Sequence, residues 1–467
     1  MFTSSEITAA TGGRLIGTGT AHVAGVSTDS RSVRPGELFV PLRGARFNGH
    51  EFIAAVAAQG VTTVLADERW IAEQDAPVGI DCIVVADTER ALGDLAASYR
   101  RRFAIPVVGV TGSNGKTTTK EMLATILEQT GPGLKTAGNL NNLIGLPQMV
   151  FLLRPEHCWV VLEMGMSEPG EIDRLAEIAD PTVGVITNAF PAHLQSMGSV
   201  EAVARAKGEL FMRLSRGAKA IYNADDQLIA ALPAPEGVER ISFGLHGAEI
   251  AAVNLERSDR GGERFTLVVP GGEAKVHLKA HGRHNIYNAL AAAAAARALD
   301  VPLNLIVSGL EAFVPVDKRF RLEELDGVTL IDDSYNANPG SMAAALVTLS
   351  EVRGEGRAIA VLGDMLELGS VAMDAHRGVG RLAATCVSRL YLLGRFAETV
   401  KAGALEGGLA EEAIVVGESH EQILVDLRGS LQSGDSVLVK GSRGMRMETV
   451  AEGIRIWWAG SAGKGAH

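Results

Sequence analysis

Cysteine is scarce in this 467-residue chain. The three present, Cys82, Cys158 and Cys386, are far apart, odd in number and without metal-ligand spacing, so neither a disulfide framework nor a zinc site is expected. A basic surplus is also missing. Lys and Arg number 44 against 55 Asp and Glu, and a net charge of -11 offers nothing to displace counterions from a nucleic-acid backbone. Any anionic ligand must therefore be held by local groups. No apolar run is long enough to span a membrane, and the longest, Ala289 to Ala296, is mostly alanine and predicts a buried helix. Met1 to Glu6 show no basic region leading into an apolar stretch, so no signal peptide and a cytoplasmic location are expected. No heptad seam is visible, which predicts a monomer, and there is no short-period repeat. What is present, 46% hydrophobic and 21% charged residues, suits a folded protein whose length calls for more than one core.

Three stretches differ in texture, and they predict an α/β protein divided at residues 1–84, 85–314 and 315–467. The first carries short β-like runs, among them Leu38 to Leu42 and Val61 to Ala66, between polar turns. The second opens with Ile105 to Val110 and repeats the pattern at Trp159 to Leu162 and Val183 to Thr187, as a parallel sheet covered on both faces would. The third alternates again, through Thr329 to Ile331, Ala358 to Leu362, Leu390 to Leu393, Ile414 to Val416 and Ser436 to Val439. In such sheets ligands sit beyond the C-terminal strand ends, where Glu163 and Asn188 fall.

The strongest local signal is Thr111-Gly112-Ser113-Asn114-Gly115-Lys116-Thr117-Thr118, running from a predicted strand into a predicted helix. Glycines let backbone N–H groups approach phosphates, and a helix N-terminus favours negative charge. Lys116 would neutralise β- and γ-phosphate oxygens of ATP and the Thr117 hydroxyl would hold Mg²⁺. The spacing departs from the general phosphate-loop pattern, which would place its first glycine at Val110. Glu163, closing a neighbouring strand, is the carboxylate candidate for the same ion. On spacing alone His193, Lys207, His284, Asn285 and Asn288 stay open between site roles and ordinary surface, core or helix-start roles.

These residues together resemble a known family. The loop, Leu162-Glu163-Met164-Gly165, Ala206-Lys207-Gly208-Glu209 and Gly282-Arg283-His284-Asn285 follow one another as in the Mur ligases, which form amide bonds in peptidoglycan precursors at the expense of ATP. The likeness extends over about residues 25 to 455. Thr136 to Asn142, Asp332 to Pro339, Gly363 to Gly369 and Lys440 to Arg443 are similar to the branch that adds D-alanyl-D-alanine to a UDP-N-acetylmuramoyl-tripeptide. The resemblance implies three domains: a UDP-binding α/β domain, a central parallel-sheet ATPase domain and a C-terminal Rossmann-like domain. It implies Thr117 and Glu163 at one Mg²⁺, and His193 with a carbamylated Lys207 at a second. It places Lys116, Glu163, His193 and Lys207 in catalysis. ATP would lie along Thr111 to Thr118 and His284, with Asn285 at the adenine, Asp333 at the ribose and Arg319 at the phosphates. Val314-Pro315-Val316-Asp317-Lys318, before that arginine, lacks a glycine often found there. Thr28, Ser30, Arg31, Arg46, Phe47 and Asn48 resemble the family's uridine-diphosphate contacts. Thr136, Asn139, Asn141, Asn142, Asn336 and Asn338 fall in the other substrate segments.

The competing readings are a folylpolyglutamate-type ligase, a sister Mur ligase adding the third residue, and an ATP-hydrolysing conformational switch. The first lacks a domain like residues 1–84, and the arginine-containing signature of the second is not found around Asn336 and Asn338.

Overall fold

The computed structural model describes residues 1–44, 46–191, 194–257 and 262–462. Three sheets organise it, each with helices and apolar clusters on both faces. The first has five strands in the order Arg14–Ile16, Asp81–Val85, Thr63–Asp67, Glu37–Phe39 and Gly25–Ser27. Only Arg14–Ile16 runs antiparallel to its neighbour. Helix Thr88–Arg100, capped by the Asp87 carboxylate on the Glu89 and Arg90 N–H groups, packs between this unit and the next.

The central sheet has nine strands. Val107–Thr111 lies between Trp159–Glu163 and Val183–Ile186, all parallel, with Val110 beside Glu163 and Thr111 beside Ile186. All five residues of Val107–Thr111 and of Trp159–Glu163 are buried, as a strand covered on both faces requires. The parallel run continues through Lys219–Asn223 and Glu239–Gly244 to Ile250–Arg257. There the sheet departs from the all-parallel expectation: Glu263–Val269 and Gly272–Leu278 add two antiparallel strands. Phe265, Leu267 and Val269 point into the core at every second position, the pattern of a sheet with one packed face.

The alanine run forms the middle of helix Arg283–Ala298, and Ala289 to Ala296 are all at 0% exposure. This helix lies against Lys116–Leu127, the helix that leaves the phosphate loop. Methyl side chains allow the two to approach closely, so the alanine helix sets where the loop's helix begins. In the third unit six strands run in the order Arg321–Leu325, Val328–Asp333, Ser436–Lys440, Ala358–Gly363, Arg389–Leu393 and Ile414–Gly417, parallel except the first pair. Ala358, Ala360 and Leu362 face one helix layer while Ile359 and Val361 face the other. Among the described residues no helix is long and apolar enough to cross a membrane.

The close fit behind the phosphate loop gives a direct expectation. Ala293→Leu should destabilise the protein by about 1–3 kcal/mol through overpacking, read as a lower denaturant midpoint at unchanged slope.

Candidate active site

A cleft of about 960 Å³ opens between the central and third units, lined by Gly112 to Thr118 on one wall and by Arg319, Asp333, Tyr335 and Asn336 to Asn338 on the other. The loop backbone that forms its floor is clamped by side chains from the adjacent strand end. Asn114 N–H donates to Asn188 Oδ1 at 2.9 Å, and Asn114 O accepts from Thr187 Oγ1 at 2.6 Å and Asn188 Nδ2 at 3.1 Å. Two glycines make this approach possible. A Cβ on Gly112 (φ 150°) would lie 1.8 Å from Thr187 Oγ1, and one on Gly115 (φ 82°) 2.1 Å from Asn288 Oδ1. Helix Lys116–Leu127 starts directly at Gly115, whose carbonyl accepts from Thr119 N–H at 2.8 Å. The N–H groups before Thr119 thus have no helical acceptor, which suits them to anionic oxygens.

Lys116 curls back on the loop, its ammonium donating to Gly112 O at 2.8 Å. Burial in the cleft lowers its pKa; Glu163 opposes that shift and Arg319 adds to it. Thr117 Oγ1 donates to Glu163 Oε2 at 2.7 Å, and Asn141 Nδ2 donates to Glu163 Oε1 at 2.8 Å. Glu163 is itself aimed by Thr136, whose Oγ1 accepts the Glu163 N–H at 2.9 Å. Lys207, on helix Val200–Met212, lines the same cleft. It is 3% exposed and has no hydrogen-bond or ion-pair partner among the described residues. Burial, with Lys116 nearby, pushes its pKa well down.

A hydroxyl and a carboxylate oxygen in contact beside a phosphate-binding loop are the hard donors that Mg²⁺ takes, with waters and substrate phosphates completing its shell. Among the described residues no cluster of three His, Cys, Asp or Glu could hold a metal on its own. The Thr117 and Glu163 oxygens beside the loop fit an ion that arrives with a nucleotide. His193 lies outside the described residues.

On the third-domain wall Arg319 stacks over Tyr335, its guanidinium carbon 3.9 Å from the ring centre. Where the sequence lacks the glycine, Lys318 and Phe320 adopt left-handed backbone (φ 61° and 52°), strain that clusters at functional sites. Asp333 holds that turn by accepting the Phe320 N–H at 3.0 Å while Lys440 donates to its other oxygen at 2.5 Å. His284 meets Phe320 edge-on at 5.6 Å, and Asn285 Nδ2 donates to His281 O at 2.8 Å.

The comparisons with known proteins match this arrangement. The Mur ligase middle domain matches residues 110–296, the glutamate ligase domain of Mur ligases residues 318–443, and the Mur ligase catalytic domain residues 22–100. The UDP-N-acetylmuramoyl-tripeptide--D-alanyl-D-alanine ligase of Escherichia coli (strain K12) is 37% identical, over 97% of this chain and 98% of its own. The chain belongs to the Mur ligase family. Among solved structures, that of MurF from Acinetobacter baumannii superposes on this Mur ligase with a TM-score of 0.89 at 34% identity, covering 97% of this chain and 99% of the other. MurF ligase from Thermotoga maritima in complex with ADP gives 0.84 at 29%, covering 93% and 98%.

In this Mur ligase Gly112 to Thr118, Asn141, Asn142, Glu163, Lys207, His284, Asn285, Arg319, Asp333, Asn336 and Asn338 all border the one cleft. Thr111 lies just behind it, fully buried, with its hydroxyl donating to Met164 O at 2.8 Å. Thr136 is also buried behind the wall, and Asn139 is exposed outside it. Thr28, Ser30, Arg31, Arg46, Phe47 and Asn48 do not border the cleft; they belong to the first unit. There Arg31 pairs with Asp29 at 2.7 Å, Phe47 is 61% exposed, and Asn48 Oδ1 accepts from the His50 N–H at 3.2 Å. Thr28 Oγ1 accepts from Gln148 Nε2 of the central unit at 2.9 Å. The sequence reading missed Tyr335, Phe320 and Lys440 as individual cleft residues; their only signal was their place within or beside the recognised motifs.

Burial holds the His284 imidazole down to about 4 from its ordinary 6.5, with Lys440 adding to the shift. The folded state then keeps it neutral while the unfolded chain protonates, so stability present above 6.5 is lost as pH falls towards 4. Between pH 7 and pH 5, His284→Gln should remove about 1–2 kcal/mol of this pH dependence, measured by denaturant unfolding at both values.

Proposed function

We propose that this Mur ligase joins D-alanyl-D-alanine to UDP-N-acetylmuramoyl-tripeptide, converting ATP to ADP and phosphate in peptidoglycan precursor synthesis. What carries the reading is the near full-length likeness to the Escherichia coli ligase of that name. The cleft supports it with a phosphate loop and a carboxylate-hydroxyl pair on one wall and Asn336 on the other.

A carboxylate and an amine do not condense in water, so the peptide carboxylate is activated first. It attacks the γ-phosphorus of ATP, the bond to the β-phosphate oxygen breaks, and an acyl phosphate and ADP result. The dipeptide amine then adds to the acyl carbon, loses its proton, and the tetrahedral intermediate expels phosphate. Two anions meet in the first step, so positioning and positive charge supply most of the catalysis. Lys116 and the loop N–H groups hold the phosphates, and Arg319 approaches them from the third domain. Thr117 and Glu163 would hold Mg²⁺, which when bound neutralises charge on the phosphates. Asn285 takes the adenine, beside His284, and Asp333 the ribose. Asn141, Asn142 and Asn336 offer amides to the reacting peptides. Thr28, Ser30, Arg31, Arg46, Phe47 and Asn48 take the uridine diphosphate, with Thr136 and Asn139 in the connecting segment.

A buried lysine with no counter-charge among the described residues is a natural target for CO₂. For Lys207 the lowered pKa favours the free amine, which adds to CO₂ and loses a proton to give a carbamate, an oxygen ligand that with His193 would hold a second Mg²⁺. We read the domains as 1–84, 85–314 and 315–467; three sheets spanning 14–85, 107–278 and 321–440 support a division into three, the first running past residue 84 to Val85. The enzyme is taken as a cytoplasmic monomer.

The test is phosphate release with each substrate omitted in turn. Release that requires both UDP-N-acetylmuramoyl-tripeptide and D-alanyl-D-alanine is expected, whereas release without the dipeptide would favour the conformational switch. Lys207→Ala should lower kcat at least about a hundredfold, with partial rescue by small carboxylates. A ¹³C carbamate resonance from labelled CO₂ should be present in the wild type and absent in that variant.

A further inference from the structure

Asn114 in the phosphate loop and Asn338 at the head of helix Pro339–Val352 form a reciprocal amide pair across the cleft. Asn338 Nδ2 donates to Asn114 Oδ1 at 2.7 Å, and Asn114 Nδ2 donates to Asn338 Oδ1 at 3.2 Å. Among the described residues these two are the only hydrogen bonds between a loop side chain and the third domain.

Asn338 is otherwise committed. Its Oδ1 also accepts the Ser341 N–H at 2.9 Å, and Ser341 Oγ accepts the Asn338 N–H at 3.0 Å, a capping box for the helix. Both lone pairs of its amide oxygen are thus used, leaving one amide hydrogen. Asn114 has a backbone already held by Asn188 and Thr187, so its side chain is not needed to shape the loop. The two surfaces are also in close contact beside the pair, since a Cβ on Gly340 would lie 2.9 Å from the Phe190 ring.

We infer that Asn114 and Asn338 are positioning residues that lock the phosphate loop to the third domain, so that phosphoryl transfer depends on that domain being seated over the cleft. Asn338 serves this pairing and not a substrate contact. The inference rests on the ligase reading above for its kinetic consequence, but the pairing itself does not.

The experiment is a double-mutant cycle on the full chain with Asn114→Ala, Asn338→Ser and the two combined. Serine keeps a capping hydroxyl on the helix while losing the reach of the amide. Each single variant should lower kcat about tenfold with little change in KM for D-alanyl-D-alanine, and the double variant should be no slower than either. Without substrates, the shifts in thermal midpoint should likewise be less than additive. Additive losses, about a hundredfold in the double variant, would overturn the pairing. So would a KM for the dipeptide raised by Asn338→Ser and not by Asn114→Ala, or additive thermal shifts. If the wild type shows no dipeptide-dependent phosphate release, the ligase reading fails, and the thermal cycle alone decides the pair.

Discussion

The clamp on the phosphate loop is the constraint on which the rest of the site depends. Asn188 and Thr187, from the end of the neighbouring strand, grip both the N–H and the carbonyl of Asn114. Asn288 presses on Gly115 from the alanine helix. A loop held this way keeps its amides turned towards a ligand before the ligand arrives, so little reorganisation is left for the reaction. The buried strands and the alanine helix are the scaffolding that puts those three residues in reach, which makes core packing and phosphate binding one structural problem.

Charge is the second constraint. The chain is acidic overall, yet Lys116, Arg319 and Lys207 converge on one cleft with Glu163. Lys116 disfavours the charged form of Lys207, and Arg319 does the same to Lys116. Such a cluster is costly until anions enter it. A nucleotide triphosphate and a peptide carboxylate relieve the same imbalance, as would the carbamate proposed on Lys207, which ties occupancy of the cleft to its stability.

Much of this was legible from the sequence because it is local. The loop, the strand ending in Glu163 and the alanine helix each announce themselves within a dozen residues, and each is where periodicity and turn chemistry put it. The family motifs then brought Lys207, Asn285, Arg319 and Asp333 to one cleft. The antiparallel strands Glu263–Val269 and Gly272–Leu278 were not legible, because alternation along one segment does not fix the direction in which it joins a sheet. The pairing of Asn338 with Asn114, 224 residues away, was not legible either. A contact of that separation depends on how two domains face each other, and no spacing rule carries that information. The same holds for Phe320 and Tyr335, whose roles come from a strained turn that only the folded backbone reveals.

The central claim is that the cleft activates a peptide carboxylate by phosphorylation, and oxygen transfer tests it most directly. UDP-N-acetylmuramoyl-tripeptide labelled with ¹⁸O in its terminal carboxylate is turned over with ATP and D-alanyl-D-alanine, and the released phosphate is analysed by mass. The account predicts one carboxylate oxygen in each phosphate released. Unlabelled phosphate accompanying amide formation would contradict it.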